Sequence, residues 1–394
     1  MTKKLLSRLA LPALATVLGA AVLAPHSAKA QTAELPAWLS KTTIGGDLRV
    51  RLQRTFSGSA DEQELIRARL AAAFNISDQL TANLRLASGN DTNTTTSSHQ
   101  TLGDENFNKK PFWLDIASMD YKPVSGLVIT GGKALNPFFS AAKNELVMDA
   151  DVNPEGVNVK YSTEFGSLKP FAAVAYNIVS ESGAAQSGTP GGANSVAANG
   201  GAADRTMLGG QIGASFKGDV FGATLAVGMY NYNGLKGMQA MLPGPAATGA
   251  TRGNTYTGTP GTYAYDYKLT NVELELTTEA MGLPLTAYSS YVQNSDPGDK
   301  NIGLLGGLRV GAVKGEGSWA FDYNYRDLAA DAIIANFTDG DFGGQTDVRG
   351  HRFALTYVPV NGFSATLGAI FAKTAASTVG TDWERYTLDL LATF

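Results

Sequence analysis

Apolar and polar residues alternate with a period of two along most of this chain, the pattern of strands whose two faces meet different surroundings. Within residues 44–55, Leu48, Val50 and Leu52 share one parity, and Asp47, Arg49, Arg51 and Gln53 share the other. Ile66, Ala68, Leu70, Ala72 and Phe74 oppose Arg67, Arg69, Ala71 and Ala73, while Leu80, Ala82, Leu84 and Leu86 oppose Thr81, Asn83 and Arg85. Later runs carry aromatic residues on the apolar parity. Trp319, Phe321, Tyr323 and Tyr325 face away from Asp322, Asn324 and Arg326, and Phe363, Leu367 and Phe371 face away from Ser364, Thr366 and Gly368. A helical period fits none of these runs.

The connections alternate between short and long. Short turns fall at Ser77-Asp78, Lys122-Pro123, Phe165-Gly166, Lys217-Gly218-Asp219, Met281-Gly282, Lys314-Gly315 and residues 359–362. Between them lie longer segments at 89–110, 133–153, 180–204, 233–261, 293–301, 327–346 and 373–382, and a brief one at 57–61. This asymmetry predicts an all-β fold, a transmembrane antiparallel up-and-down β-barrel of about 16 strands with short periplasmic turns and long extracellular loops. The low-complexity stretch 183–201 reads as a loop of one domain, because alternating runs resume on both sides of it. Hydrophobic residues make up 44% of the chain. Beyond Ala30 they are nowhere continuous over the roughly 20 positions that a spanning helix needs. A soluble β-sandwich would turn its apolar faces inward against each other, without a polar inner face over so many consecutive strands.

The first residues read as an export signal. Lys3, Lys4 and Arg8 precede an apolar run from 9 to 24, and Ala28-Lys29-Ala30 supplies a small-residue cleavage site. The expected organisation is a signal peptide at 1–30 and a barrel domain at 31–394, exported to the bacterial outer membrane. The whole chain carries net charge −4, and loss of Lys3, Lys4, Arg8 and Lys29 makes the remainder more acidic. Nucleic acid is disfavoured, since phosphate binding needs a basic surface. The chain has no cysteine, so neither disulfides nor thiolate metal sites support it. At the far end Tyr386, Leu388, Leu390, Ala392 and Phe394 alternate with Arg385, Thr387, Asp389 and Thr393. This run resembles the closing signal of outer-membrane proteins, whose terminal phenylalanine is read by the barrel-assembly machinery.

Several motifs carry a resemblance to a known family. Gly46-Asp47-Leu48-Arg49-Val50-Arg51 resembles the first-strand pattern of the putative porins of Gram-negative bacteria. Arg67-Ala68-Arg69, Gly131-Gly132-Lys133, Asn136-Pro137-Phe138 and the run from Asp149 to Gly156 are similar too. The resemblance implies passive diffusion of small hydrophilic solutes or ions, with no cofactor, and the trimeric porins that the layout resembles imply a homotrimer. In those porins the loop corresponding to 133–153 folds into the barrel as a constriction.

Arg49, Arg51, Arg67, Arg69 and Arg85 all fall on the polar parity, where a water-filled lumen screens their mutual repulsion. On the lipid side an arginine at mid-depth would cost about 2–4 kcal/mol. They are expected to line a pore, opposed by Glu145, Asp149, Asp151 and Glu155 at the candidate constriction loop, so that a transverse field filters polar solutes. A bland alternative is a solvated inner face and an ordinary outer loop. Asp149, Asp151, Asn153 and Glu155 also begin like a calcium loop, but Pro154 stands where glycine is needed and Lys160 where a bidentate glutamate belongs. Asp339-Gly340-Asp341 is a weaker fragment of the same kind. Catalysis lacks a motif, because neither His99 nor His351 is accompanied by a nucleophile or a metal-ligand pattern. An outer-membrane barrel enzyme, such as a lipase or protease, and a loop-based binding or adhesion barrel are the competing functions.

Overall fold

The computed structural model describes residues 41–89, 95–103, 106–181, 204–238, 252–258, 262–378 and 380–394. The expected leader at 1–30 and the stretch 183–201 lie outside the described residues. Sixteen long strands form one sheet: β1 (Thr42–Ser57), β2 (Ser59–Asn75), β3 (Leu80–Ser88), β4 (Phe112–Tyr121), β5 (Leu127–Lys133), β6 (Glu155–Ser162), β7 (Leu168–Ser180) and β8 (Arg205–Lys217), then β9 (Phe221–Asn233), β10 (Tyr267–Ala280), β11 (Leu283–Asn294), β12 (Ile302–Gly311), β13 (Trp319–Leu328), β14 (Val348–Val360), β15 (Phe363–Thr374) and β16 (Thr381–Thr393). Each pairs antiparallel with its neighbour in sequence, and β1 pairs with β16 from Asp47↔Thr393 to Phe56↔Glu384. The sheet is therefore a closed barrel with no free edge, the arrangement that leaves every strand backbone paired within the protein.

Closure at the seam depends on a residue without a side chain. Gly46 N donates to Phe394 O at 2.9 Å and Phe394 N donates to Gly46 O at 3.2 Å. A Cβ on Gly46 would lie 2.3 Å from the Arg69 carbonyl oxygen and 2.8 Å from the Phe394 ring, so only glycine lets that ring cross the strand. At the hairpin between β10 and β11, Met281 and Gly282 take φ of 54° and 74°, the left-handed pair of a two-residue turn that matches strand twist.

Alternation sorts the side chains by solvent. Leu48, Val50, Leu70, Leu225, Val227 and Leu367 are exposed on the outer face. Tyr121, Tyr161, Phe221, Tyr357 and Phe394 are exposed near the short-turn rim and Tyr176, Tyr325 and Phe371 toward the other, as interfacial aromatic belts require. The opposite parity carries Arg51, Arg67, Asn158, Gln211, Glu273 and Arg326, all buried. One register differs from the simple pattern. Residues 57–61 form no loop: β1 and β2 turn at Gly58 alone (φ 77°), and their pairing runs on through Arg54↔Glu62. The acidic run 61–64 breaks apolar alternation because both of its faces are polar, although the backbone ladder continues.

An arginine placed on the outer face tests this sorting. Leu225→Arg, on a lipid-facing position of β9, is expected to cost about 2–4 kcal/mol. Denaturant unfolding in lipid vesicles measures it; an unchanged midpoint would contradict the assignment of faces.

Candidate functional site in the barrel interior

The inner parity of β1, β2 and β3 brings five arginines to one wall, and carboxylates from several elements meet them. Arg51 holds Asp389 of β16 through Nε at 2.7 Å and Nη2 at 3.0 Å, and Asp341 through Nη1 at 2.6 Å. Arg67 and Arg69 share Asp47, at 2.8 and 2.7 Å. Arg85 donates to Asp115 at 2.5 Å, and the register shift between Arg85 and Leu86 is what turns Asp115 inward. Arg49 Nη2 lies 2.5 Å from His99 Nε2.

Among the described residues, two of the loops that reach this interior carry carboxylates into it. The first, 134–154, is fixed at its tip by wall carboxylates that accept backbone hydrogens. Ala141 N donates to Glu273 at 3.0 Å and Ala142 N donates to Glu275 at 2.6 Å. Gln211 satisfies both backbone groups of Phe139, accepting from N at 2.7 Å and donating to O at 2.9 Å, and Arg309 Nη2 donates to Ala142 O at 3.2 Å. At its root Asp151 meets Arg69 at 3.2 Å and Asn153 accepts from Arg85 at 3.3 Å. Because these partners sit on β2 and β3 at one end and on β8, β10 and β12 at the other, the loop crosses the interior.

The second loop, 329–347, largely coincides with the segment 327–346, one of the long loops that the sequence assigns to the extracellular side, and it also turns inward. Its Asp339 is 1% accessible and meets Arg326, itself 2% accessible, at 2.8 Å, with Arg352 at 3.5 Å. Asp341 reaches Arg51 and, at 3.5 Å, Arg385. The two loops lock together: Asp149 N donates to Phe337 O at 2.7 Å, Gly340 N donates to Asp149 Oδ2 at 2.8 Å, and Asp339 N donates to Glu145 O at 3.2 Å. Burial and the neighbouring Asp339 push Glu145 up to about 7. Burial and Glu145 push Asp149 up to about 9. Desolvation also opposes the charge of Asp341, but Arg51 and Arg385 hold it well below the usual carboxylate range.

Of the four acidic residues singled out in the sequence, Asp151 alone reaches the arginines of β1 to β3. Asp149 belongs to the inserted loop but faces the second loop, while the Glu145 carboxylate accepts from Ala150 N of its own loop at 3.0 Å and stands 3.9 Å from Arg352 of β14. Glu155 stands apart as the first residue of β6, on the parity of outward-facing Val157, and pairs with Lys133 at 2.8 Å. Strand pairing begins there, so the extended backbone carries its side chain away from the interior. Asp149 and Asp151 do not converge as cation ligands: backbone hydrogens of Gly340 and Asp151 occupy the first and Arg69 the second. His99 faces inward to Arg49, whereas His351 faces outward, its Nδ1 3.0 Å from the Tyr323 hydroxyl. Sequence reasoning did not single out Asp47, Asp115, Asp341, Asp389, Arg352 or Arg385 as site residues. Asp47 and Asp389 carry a usable signal in their polar parity, while Asp341 carries none, since its partner lies on a distant strand.

Comparison with known proteins follows the same lines. The profile of the family described as "Putative porin" matches residues 60–266. No curated protein matches the chain. Among solved structures, the chain is similar to OprB of Pseudomonas putida, determined at high pH, with TM-score 0.58 and 12% identity over 90% of this chain and 95% of that one. It is also similar to an anion-selective porin from Comamonas acidovorans, with TM-score 0.51 and 12% identity over 90% of this chain and 99% of that one. At such identities the likeness speaks for the closed barrel fold.

The loop junction should respond to pH. The folded loops retain protons on Glu145 and Asp149 that the unfolded chain releases in the ordinary carboxylate range. Their contribution is therefore fully present in acid and is lost as pH rises from that range through about 7 and then about 9. Since the chain has no cysteine, a spin label at Ala150→Cys reports one site. Its mobility should increase from about pH 5 to about pH 9, and Asp149→Asn should remove the alkaline part of the change. An invariant spectrum would contradict the coupling of the two loops.

Proposed function

The chain belongs to the putative porin family, and from that premise we propose that it is an outer-membrane porin through which small hydrophilic solutes and ions diffuse passively. The observation that carries this reading is the inversion of a soluble protein. Apolar side chains cover the outside of the barrel, while arginines, carboxylates and amides line its interior. Hydrated solutes gain from a wall that replaces part of their water, and hydrocarbon offers no such contacts. Filtering acts through size and field, with no chemical step.

The arginines Arg49, Arg51, Arg67, Arg69 and Arg85 form the basic side of the proposed pore. The loop 134–154 acts as its constriction, a role supported by its anchoring to opposite walls through Asp151 and through Ala141 and Ala142. The reading includes export through a cleaved leader at 1–30, recognition of the strand ending at Phe394 by the barrel-assembly machinery, and assembly as a homotrimer. The last two are carried by resemblance to outer-membrane proteins and to trimeric porins.

Reconstitution into planar bilayers should give stepwise conductance, and replacement of residues 138–150 by a short Gly-Ser linker should enlarge each step. A folded barrel that never conducts would reject the porin reading. Steps of unchanged size in the loop variant would reject the constriction.

A further inference from the structure

The five arginines on the wall of β1 to β3 are unequally compensated. Arg51 has two carboxylates, Arg67 and Arg69 share Asp47 while Arg69 also reaches Asp151, and Arg85 has Asp115. Arg49 differs. Its nearest carboxylate, Asp389, stands 3.7 Å away with both oxygens already engaged by Arg51. Its Nε, buried from solvent, has no hydrogen-bond partner among the described residues.

What Arg49 touches instead is His99, from the loop between β3 and β4, with Nη2 and Nε2 2.5 Å apart. Every guanidinium nitrogen carries hydrogen, so the imidazole accepts through Nε2 and must be neutral. Its Nδ1 is left to donate toward Ser97 Oγ at 3.4 Å. Burial and the adjacent Arg49 pull His99 down to about 2, so the ring stays neutral throughout the working range of the protein. A neutral acceptor fixes the guanidinium in place and cancels none of its charge. Arg51 follows on the same inner face and Arg67 stands directly opposite on β2, so Arg49 sits among like charges. Even so, 17% of its side-chain surface remains accessible.

Resting on the porin reading, we infer that Arg49 is a specificity-determining residue of the pore, that His99 is its positioning residue, and that the pair favours small oxyanions over cations. A guanidinium presents parallel donors that match the oxygens of carboxylates and phosphate. Of the five, Arg49 alone has no carboxylate within hydrogen-bonding distance among the described residues, so its charge alone is left unspent. Replacing the neutral partner with a carboxylate would spend it.

The test is the anion-to-cation permeability ratio of the reconstituted mature chain, read as reversal potential under gradients of potassium acetate and potassium phosphate. The wild-type ratio should exceed one in both salts. Arg49→Gln should lower it several-fold, and His99→Asp should do the same by supplying the missing carboxylate. His99→Gln, whose amide oxygen can accept from Arg49, should keep the wild-type ratio, whereas His99→Leu, which fills the space but cannot accept, should lower it; a merely space-filling histidine predicts no difference between the two. If His99→Asp fails to fold, Arg49→Gln decides alone. Conducting channels whose ratio ignores Arg49→Gln overturn this inference and leave the porin reading intact. A wild-type chain that conducts nothing overturns both.

Discussion

Hydrocarbon offers a backbone no hydrogen-bond partner, and the rest of this structure follows from that constraint. A strand crossing such a medium must be paired on both edges, so the sheet has to close, and here β1 meets β16. Closure fixes an inside and an outside, and pleating assigns alternate residues to each. The outer parity is then free to be apolar and the inner parity free to be charged. Placing arginine on one and leucine on the other needs no adjustment of the backbone.

The charged interior has its own economy. Burying a guanidinium alone is expensive, and pairs repay the cost only when geometry and further hydrogen bonds are good. This barrel repeatedly gives one carboxylate two guanidiniums: Asp47 serves Arg67 and Arg69, Asp341 serves Arg51 and Arg385, and Asp339 serves Arg326 and Arg352. Two of these carboxylates ride on the loop 329–347, so the wall arginines also hold that loop inside. Glu273 solves the converse problem. With no cation paired to it among the described residues, it accepts from Ala141, Asn144, Asn271 and Ser290.

The strands were legible because side-chain environment alternates with chain position, a local property that residue order records directly. The inner placement of the five arginines follows from parity alone. Contacts between loops were less legible. Asp341 is 290 positions from Arg51, and no period links them, so Asp339-Gly340-Asp341 suggested a fragment of a cation loop where the structure has two anchors for arginine. Glu155 was misleading for a different reason. It lies one residue past a loop whose end is set by hydrogen bonding, and crossing that boundary reverses the direction of its side chain.

The seam through Gly46 and Phe394 bears on how such a barrel comes into being. Arg51 and Asp389, bonded across it, are 338 positions apart, whereas every other pair of neighbouring strands is adjacent in the chain. Hairpins can therefore assemble early at small entropic cost, while the last ladder must bring the two ends of the barrel together. Until it does, β1 and β16 expose two unsatisfied edges that any other strand can pair with. Gly46, a residue with no side chain, thus stands at the step where a string of hairpins becomes a vessel.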